Sequence, residues 1–317
     1  MSSAIIQRAW GDPDVLEFTD VEKPVASDLG SGEVLVKVTF AGVNPVDTKT
    51  RRGGATAGLF AGFPVTIGWD LSGTIVAVAP DVTSLSVGDR VFGMSRFPHP
   101  GKAYAEFVVA DAADLIVTPA GVSDEQAAAL PLAGLTAWED LVEIGGLQPG
   151  EHVLIQGAGG GTGHLAVQIA HSIGAHVTAT ASTSKQAWLR ELGADRTVDY
   201  TVDDVPTLFP ERPFDLVFNT SNGSARQGIL ATRPGGLVVD ISETVTDDDR
   251  ALASSLGVRV DVPSVSLNRT GLEELARLAD SGRLTAHIGR IYQLADAAEA
   301  HRQVEAGHMQ GKVLLRP

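Results

Sequence analysis

Five glycines fall within GAGGGTG, residues 157–163, directly after the apolar run HVLIQ and one residue before LAVQIA. A glycine costs up to about 1 kcal/mol in an ordered element, so such a cluster needs a compensating role. Bare backbone N–H groups at the start of a helix can face an anion, and phosphate is the anion that this arrangement suits. Gly157, Gly160 and Gly163 stand in a G-x-x-G-x-x-G spacing, a variant of the stricter G-x-G-x-x-G of dinucleotide sites. A loose surface turn would explain the glycines alone. Their place between a buried strand and a helix favours a phosphate cradle, with Gly161 and Thr162 completing it.

The next strand reports on which dinucleotide would fit. NAD sites carry an acid about 20 residues beyond the glycines, at the end of the second strand, to hold the ribose 2′-hydroxyl. Here that strand ends Ala179-Thr180-Ala181-Ser182, and no carboxylate appears before Glu191. A carboxylate would repel a 2′-phosphate, whereas a small hydroxyl residue such as Ser182 admits one. The segment FNTSNG, 218–223, follows a further strand at its carboxyl end, where open α/β sheets bind ligands. Asn219 through Gly223 are therefore candidates to pass near an adenosine or ribose, with a simple turn as the competing reading.

These residues need a frame. From residue 151 short apolar strands alternate with helical segments, the pattern of a parallel sheet covered by helices. The first 120 residues are instead β-rich, in EVLVKVTFAGV, LSGTIVAVA, DRVFGM and AEFVVADAADLIVTP. RRGGATAGLFAGFP, 51–64, is glycine-rich without periodicity and predicts a mobile loop. Ser123 opens a helical stretch that Pro131 divides in two. After Pro263 come a helix over 271–281, a strand, a helix over 296–306 and a last strand. The expected organisation is a β-rich domain, 1–123 with 264–317, interrupted by an α/β domain, 124–263.

The composition excludes several classes. At 317 residues with a net charge of −15, nucleic acid and anionic membranes are poor partners. No cysteine is present, which removes disulfides, thiolate catalysis and every Cys-containing zinc site. No apolar run is long enough to span a membrane, and the N-terminus lacks the basic and apolar regions of a signal peptide, so a cytoplasmic location is expected. The histidines, His99 and His164 among them, show no metal spacing and read as surface residues.

Taken together, HVLIQGAGGGTGHLAVQIAHSIGAHVTATAS, FAGVNPVDTKTRRGG, TIGWDLSGTIVAVAPDVTSLSVGDRVFG, LPLAGLTAWEDL and AAEAHRQVEAGHMQGKVLL resemble segments of one family in the same order. That family is the zinc-independent quinone oxidoreductase branch of the medium-chain dehydrogenase/reductase superfamily. The resemblance implies a GroES-like catalytic domain with an inserted Rossmann domain and an active site in the cleft between them. It implies that Lys185 and Tyr200 bind the 2′-phosphate of NADPH, that Thr136 approaches the nicotinamide, and that Asn44 and Lys49 lie in the catalytic segment. Asn44-Pro45-Val46-Asp47 also fits a helix start, with Asn as N-cap, Pro at N1 and an acid at N3.

Two departures qualify it. Zinc-dependent members carry a Cys in the segment matching AGVNPVD and a Gly-His-Glu where this chain has Gly68-Trp69-Asp70, so no metal is expected. Lys49 stands where the most similar quinone reductases have Tyr, which leaves the substrate open. The expected activity is NADPH-dependent, zinc-independent reduction of quinones or α,β-unsaturated carbonyl compounds, small molecules in either case. An enoyl-thioester reductase or reductive cyclase would use the same hydride chemistry, and an NADPH-binding protein with an idle cleft is the non-enzymatic alternative. VRVDV, 258–262, is the last strand of the inserted domain and belongs at a sheet edge. The family pairs such edges, so a homodimer is expected.

Overall fold

The β-branched runs of the first 120 residues become strands, as their alternation requires. The computed structural model describes residues 1–242 and 244–317. The chain divides into two compact units, one of Met1–Leu135 with Ser266–Pro317 and the other of Thr136–Val265. This is the expected architecture of a β-rich part interrupted by a parallel-sheet part.

In the first unit, β1 (Ser2–Ile6) and β2 (Glu17–Val21) pair antiparallel. The eleven-residue β3 (Glu33–Val43) leads straight into α1 (Pro45–Arg51). A loop then returns the chain to β4 (Asp70–Val78) and β5 (Arg90–Met94). The run 105–119 forms two strands, β6 (Phe107–Asp111) and β7 (Leu115–Val117), because a turn at Ala112–Asp114 carries the chain from a pairing with β3 to one with β5. Ser123 accepts the Gln126 amide at 3.3 Å and opens α2 (Asp124–Ala129), and Pro131 restarts the helix as α3 (Pro131–Trp138).

The second unit is a six-stranded parallel sheet. Its strands are β8 (His152–Gln156), β9 (His176–Ala181), β10 (Arg196–Asp199), β11 (Phe214–Asn219), β12 (Thr232–Asp240) and β13 (Arg259–Asp261). Between them run α4 (Gly163–Ile173), α5 (Gln186–Glu191), the short turn α6 (Val205–Leu208), α7 (Ala225–Ala231) and α8 (Asp247–Ser255). The order β10-β9-β8-β11-β12-β13 reverses direction at β8, so the carboxyl ends of β8 and β11 flank the crevice in which such sheets bind ligands. As expected, β13 lies at the edge.

The chain then re-enters the first unit with α9 (Arg269–Asp280), β14 (Ile288–Gln293), α10 (Ala297–Ala306) and β15 (Lys312–Arg316). β15 pairs with β3, which completes a seven-stranded sheet around Val34, Val36, Leu71, Ile75, Val91 and Leu115. No helix among the described residues is long and apolar enough to cross a membrane.

Close packing separates two glycines that look alike in the sequence. A Cβ on Gly163 would collide with the Gly157 carbonyl oxygen and stand 2.6 Å from Ala158 Cα, whereas one on Gly160 meets nothing nearer than 3.4 Å. Gly163→Ala gains about 1 kcal/mol of helix propensity, but overpacking against fixed backbone costs about 1–3 kcal/mol. Thermal unfolding should show Gly163→Ala melting below wild type and Gly160→Ala melting close to it.

Candidate active site

The glycine loop leaves β8 at Gly157, whose φ of +73° suits a residue without a side chain. Its Cβ would fall 2.5 Å from Thr220 Oγ1, so the loops after β8 and β11 touch across the crevice. Thr220 closes that contact by donating its amide and hydroxyl to the Gln156 carbonyl, at 3.1 and 2.8 Å. Thr180 on β9 holds the loop from the other side: its carbonyl accepts the Ala158 amide at 3.0 Å, and its hydroxyl accepts the Gly157 amide at 3.3 Å. The amides of Gly161, Thr162 and Gly163 reach no acceptor among the described residues. They open an eleven-residue helix, where the partial positive charge of the macrodipole gathers. Free amides, no side chain at Gly160 and a helix dipole form a fitting seat for a pyrophosphate.

Lys185 lies across this loop. A Cβ on Gly159 would collide with its Cδ and stand 3.3 Å from Nζ, and partial burial lowers the lysine's pKa. Ser182 begins the turn that leads to Lys185 at the N-cap of α5, and Tyr200 follows β10 half exposed. Asp199, paired with Ala181 at the end of β9, has both oxygens engaged: Oδ2 accepts from Thr183, and Oδ1 accepts from the Thr201 amide and hydroxyl. Asn219 is fully buried. Its side chain donates to Asp240 and accepts from the Ser221 amide and Ser224 hydroxyl, so it shapes the loop after β11. His164 corrects the surface expectation. It is buried, bonded through Nδ1 to the Gly160 carbonyl at 2.8 Å and stacked on Trp188.

The second group of polar residues surrounds α1. Asp47 caps the helix by accepting the Asn44 amide at 2.6 Å. The Asn44 side chain turns inward instead: Nδ2 donates to Asp70 at 2.9 Å and Oδ1 accepts from Lys312. Asp70 also accepts the Leu132 amide at 2.9 Å and faces the Lys312 ammonium at 3.6 Å, all of it buried. Burial pushes Asp70 up and Lys312 down, and each charge offsets the other's shift.

Beside this ion pair runs a directed chain of hydrogen bonds. Arg51 can only donate, so its bond to His301 Nδ1, 3.2 Å long, makes that nitrogen the acceptor and puts the ring proton on Nε2. Nε2 then donates to the Tyr104 hydroxyl at 3.1 Å, and the tyrosine proton is left to face Asp47. Burial, with Arg51 adjacent, holds His301 neutral down to about 3. Asp47 is pushed up to about 8, chiefly by burial and further by Asp70, against the opposing pull of the Asn44 amide, Lys312 and Tyr104. Lys49 lies in the last turn of α1, its carbonyl accepting the Gly54 amide at 2.9 Å. Thr136 is buried in α3, at the start of the second unit.

Asp70, Tyr104, His301 and Lys312 escaped the sequence reading as a functional group. The available signal was a charge inside an apolar strand, Asp70 in WDLSG and Lys312 in GKVLL. The partners of such a charge are not adjacent in sequence, so the signal names no cluster.

Residues 30–120 match the alcohol dehydrogenase GroES-like domain family, and residues 192–315 match a zinc-binding dehydrogenase family. Among the described residues, no three His, Asp or Glu side chains group as metal ligands would. The chain is 31% identical to the mitochondrial NAD(P)H oxidoreductase RTN4IP1 of Mus musculus, over 96% of this chain and 87% of that protein. It is 33% identical to the 2-methylene-furan-3-one reductase of Solanum lycopersicum, over 97% and 77%. The solved quinone oxidoreductase of Coxiella burnetii superposes with a TM-score of 0.91 at 33% identity, over 100% and 99% of the two chains. That of Escherichia coli, complexed with NADPH, gives 0.86 at 25% identity, over 99% and 100%.

Asp47 makes stability depend on pH. Unfolded, it ionises near 3.8; folded, it keeps its proton to about 8. Folding therefore takes up a proton between those values, so the group's contribution worsens as pH rises from about 4 to 8 and is level above. Asp47→Asn keeps an acceptor for the Asn44 amide and has no charge to bury. Its melting temperature should exceed that of wild type by a margin that widens from pH 5 to pH 9 in scanning calorimetry.

Proposed function

This chain belongs to the quinone oxidoreductase branch of the medium-chain dehydrogenase/reductase superfamily, and from that premise we propose that it reduces quinones or α,β-unsaturated carbonyl compounds with NADPH. It is an NAD(P)H oxidoreductase of the quinone oxidoreductase and enone reductase type. The observation that carries the NADPH preference is Lys185 lying across an amide cradle whose neighbouring strand is followed by Ser182 rather than an acid. Gly157, Gly160, Gly161, Thr162 and Gly163 would hold the pyrophosphate, and Ser182, Lys185 and Tyr200 the 2′-phosphate, with Asn219 shaping the adjoining loop. Bound there, NADPH supplies a hydride. Reduction of a conjugated C=C leaves negative charge on the carbonyl oxygen, and in our reading the Lys49 ammonium stabilises it. Asn44 fixes the start of the helix that carries Lys49, and Thr136 borders the nicotinamide.

The two lysines are separable by experiment. Lys185→Ala removes one charge-assisted contact, about 1.5–3 kcal/mol, and should weaken NADPH binding about ten- to a hundredfold while NADH binding hardly changes. Lys49→Met should lower kcat by about ten- to a hundredfold with NADPH affinity retained. Fluorescence titration and turnover with a panel of quinones and enones read both. Equal losses of NADPH and NADH affinity would reduce Lys185 to a support of the fold.

The proposal extends to a homodimer formed at the β13 edge. Arg259 and Asp261 are exposed on either side of Val260. Antiparallel self-pairing about Val260 therefore sets the arginine of one copy against the aspartate of the other. Light scattering at micromolar concentration should give twice the monomer mass, and Val260→Pro, which removes a ladder donor, should give the monomer. A monomeric wild type would overturn this.

A further inference from the structure

The amino ends of β8 and β9 carry a pair of histidines that no spacing in the sequence connects. His152 opens β8, His176 opens β9, and the two are register partners in neighbouring parallel strands. Register partners share a face of the sheet, so the imidazoles meet. Their ring centroids are 4.8 Å apart at a tilt of 39°. Both side chains are exposed, and no hydrogen bond among the described residues engages either ring. The backbone beneath them is fastened: the His152 amide donates to Asp215 at 2.7 Å, and the His176 amide to the Glu151 carbonyl at 2.8 Å. Two rigid strand ends therefore hold the rings side by side with their nitrogens available.

The pair lines a cavity of about 300 Å³, together with buried Phe209 and exposed Asp195, Arg196 and Glu211. Arg196 is engaged over the Phe209 ring, 4.2 Å from its centroid, and Arg233 donates to Asp215 at 2.6 Å. Asp195 accepts the Val177 amide at 2.7 Å and keeps a second oxygen. Three carboxylates against two committed guanidiniums favour a cation as the occupant. Imidazole nitrogen suits copper, nickel and zinc, whereas magnesium and calcium prefer oxygen. Metal–nitrogen bonds of about 2.0–2.1 Å place two rings on one ion with centres about 4.5–5 Å apart, and the observed pair has that separation. We propose that His152 and His176 form an exchangeable site for a divalent transition-metal ion, with water in the remaining positions. Two protein ligands are fewer than a closed structural centre uses, so the ion binds reversibly and clips the amino ends of β8 and β9 together. The site lies at the opposite strand ends from Gly157 and owes nothing to the reductase reading.

Copper(II) is the probe, since it binds such ligands most tightly of the divalent first-row ions and is paramagnetic. Titration of the untagged chain in a non-coordinating buffer should give one ion per chain, and electron spin-echo modulation should show two imidazoles on it. Loss of a partner of a metal ligand already costs about 10–100-fold in affinity, so His152→Ala and His176→Ala should each weaken binding at least about tenfold. The spectrum of each variant should fall to one imidazole. His171→Ala, at an exposed histidine on α4, should leave binding unchanged. Zinc should raise the melting temperature of wild type and not that of His176→Ala, because a ligand of the folded state stabilises it. NADPH affinity should stay within about twofold in both variants, which verifies that they fold. A wild-type spectrum with a single imidazole, or binding that neither substitution weakens, would overturn the site.

Discussion

A buried charge pair joins segments that are otherwise far apart. The Asp70 carboxylate at the head of β4 receives the Leu132 amide, the Asn44 side chain and the field of Lys312, whose ammonium also bonds Asn44. Four segments, the starts of β4, α1, α3 and β15, meet at this point. Two charges taken out of water cost several kcal/mol each, and here that cost is met only while every partner is in place; removing one partner of such a pair typically costs about 3–5 kcal/mol. The pair therefore adds little net stability and enforces a specific arrangement. The turn that bears Lys49 is anchored by it.

A second carboxyl stands beside the first, and burial raises both. Asp47 accepts one firm amide bond and looks toward Tyr104, with no cation bonded to it directly. Burial therefore keeps its proton on, while Asp70 has Lys312 opposite. The neighbouring Asp70 raises Asp47 further, because two carboxylates in one buried site repel each other. In the Arg51–His301–Tyr104 chain each hydrogen bond runs toward Asp47, while the other Arg51 N–H groups donate to the Gly11 carbonyl and to Glu305. Arg51 has no proton acceptor to offer, so the chain locks α1 against α10 and cannot pass protons to the surface.

In the second unit the decisive constraint is backbone proximity. β8 and β11 end beside one another, Gly157 and Thr220 are in contact across the gap, and Gly163 must be glycine because α4 starts against the loop that precedes it. Three amides are left without an acceptor among the described residues, which is the chemistry a dinucleotide requires. The neighbouring Asp199 is held ionised, its carboxyl kept below the usual range by the Thr183 and Thr201 donors.

Local pattern in the sequence was enough for the alternating strands and helices from residue 151, the edge position of β13, the breaks at Ser123 and Pro131, and the glycine loop at the end of a buried strand. Each depends on periodicity or on residues within a few positions of one another, and the segments resembling a known family added the order in which the two units are built. Tertiary structure alone decided the rest. It split 105–119 into two strands by giving them different partners, turned His164 inward onto Trp188, laid Lys185 across Gly159, and brought Asp47, Asp70, Tyr104, His301 and Lys312 together from across the chain. A charged residue in an apolar strand announces that it needs a partner, but desolvation is relieved by whatever stands within a few ångströms in space, and linear spacing does not encode that distance.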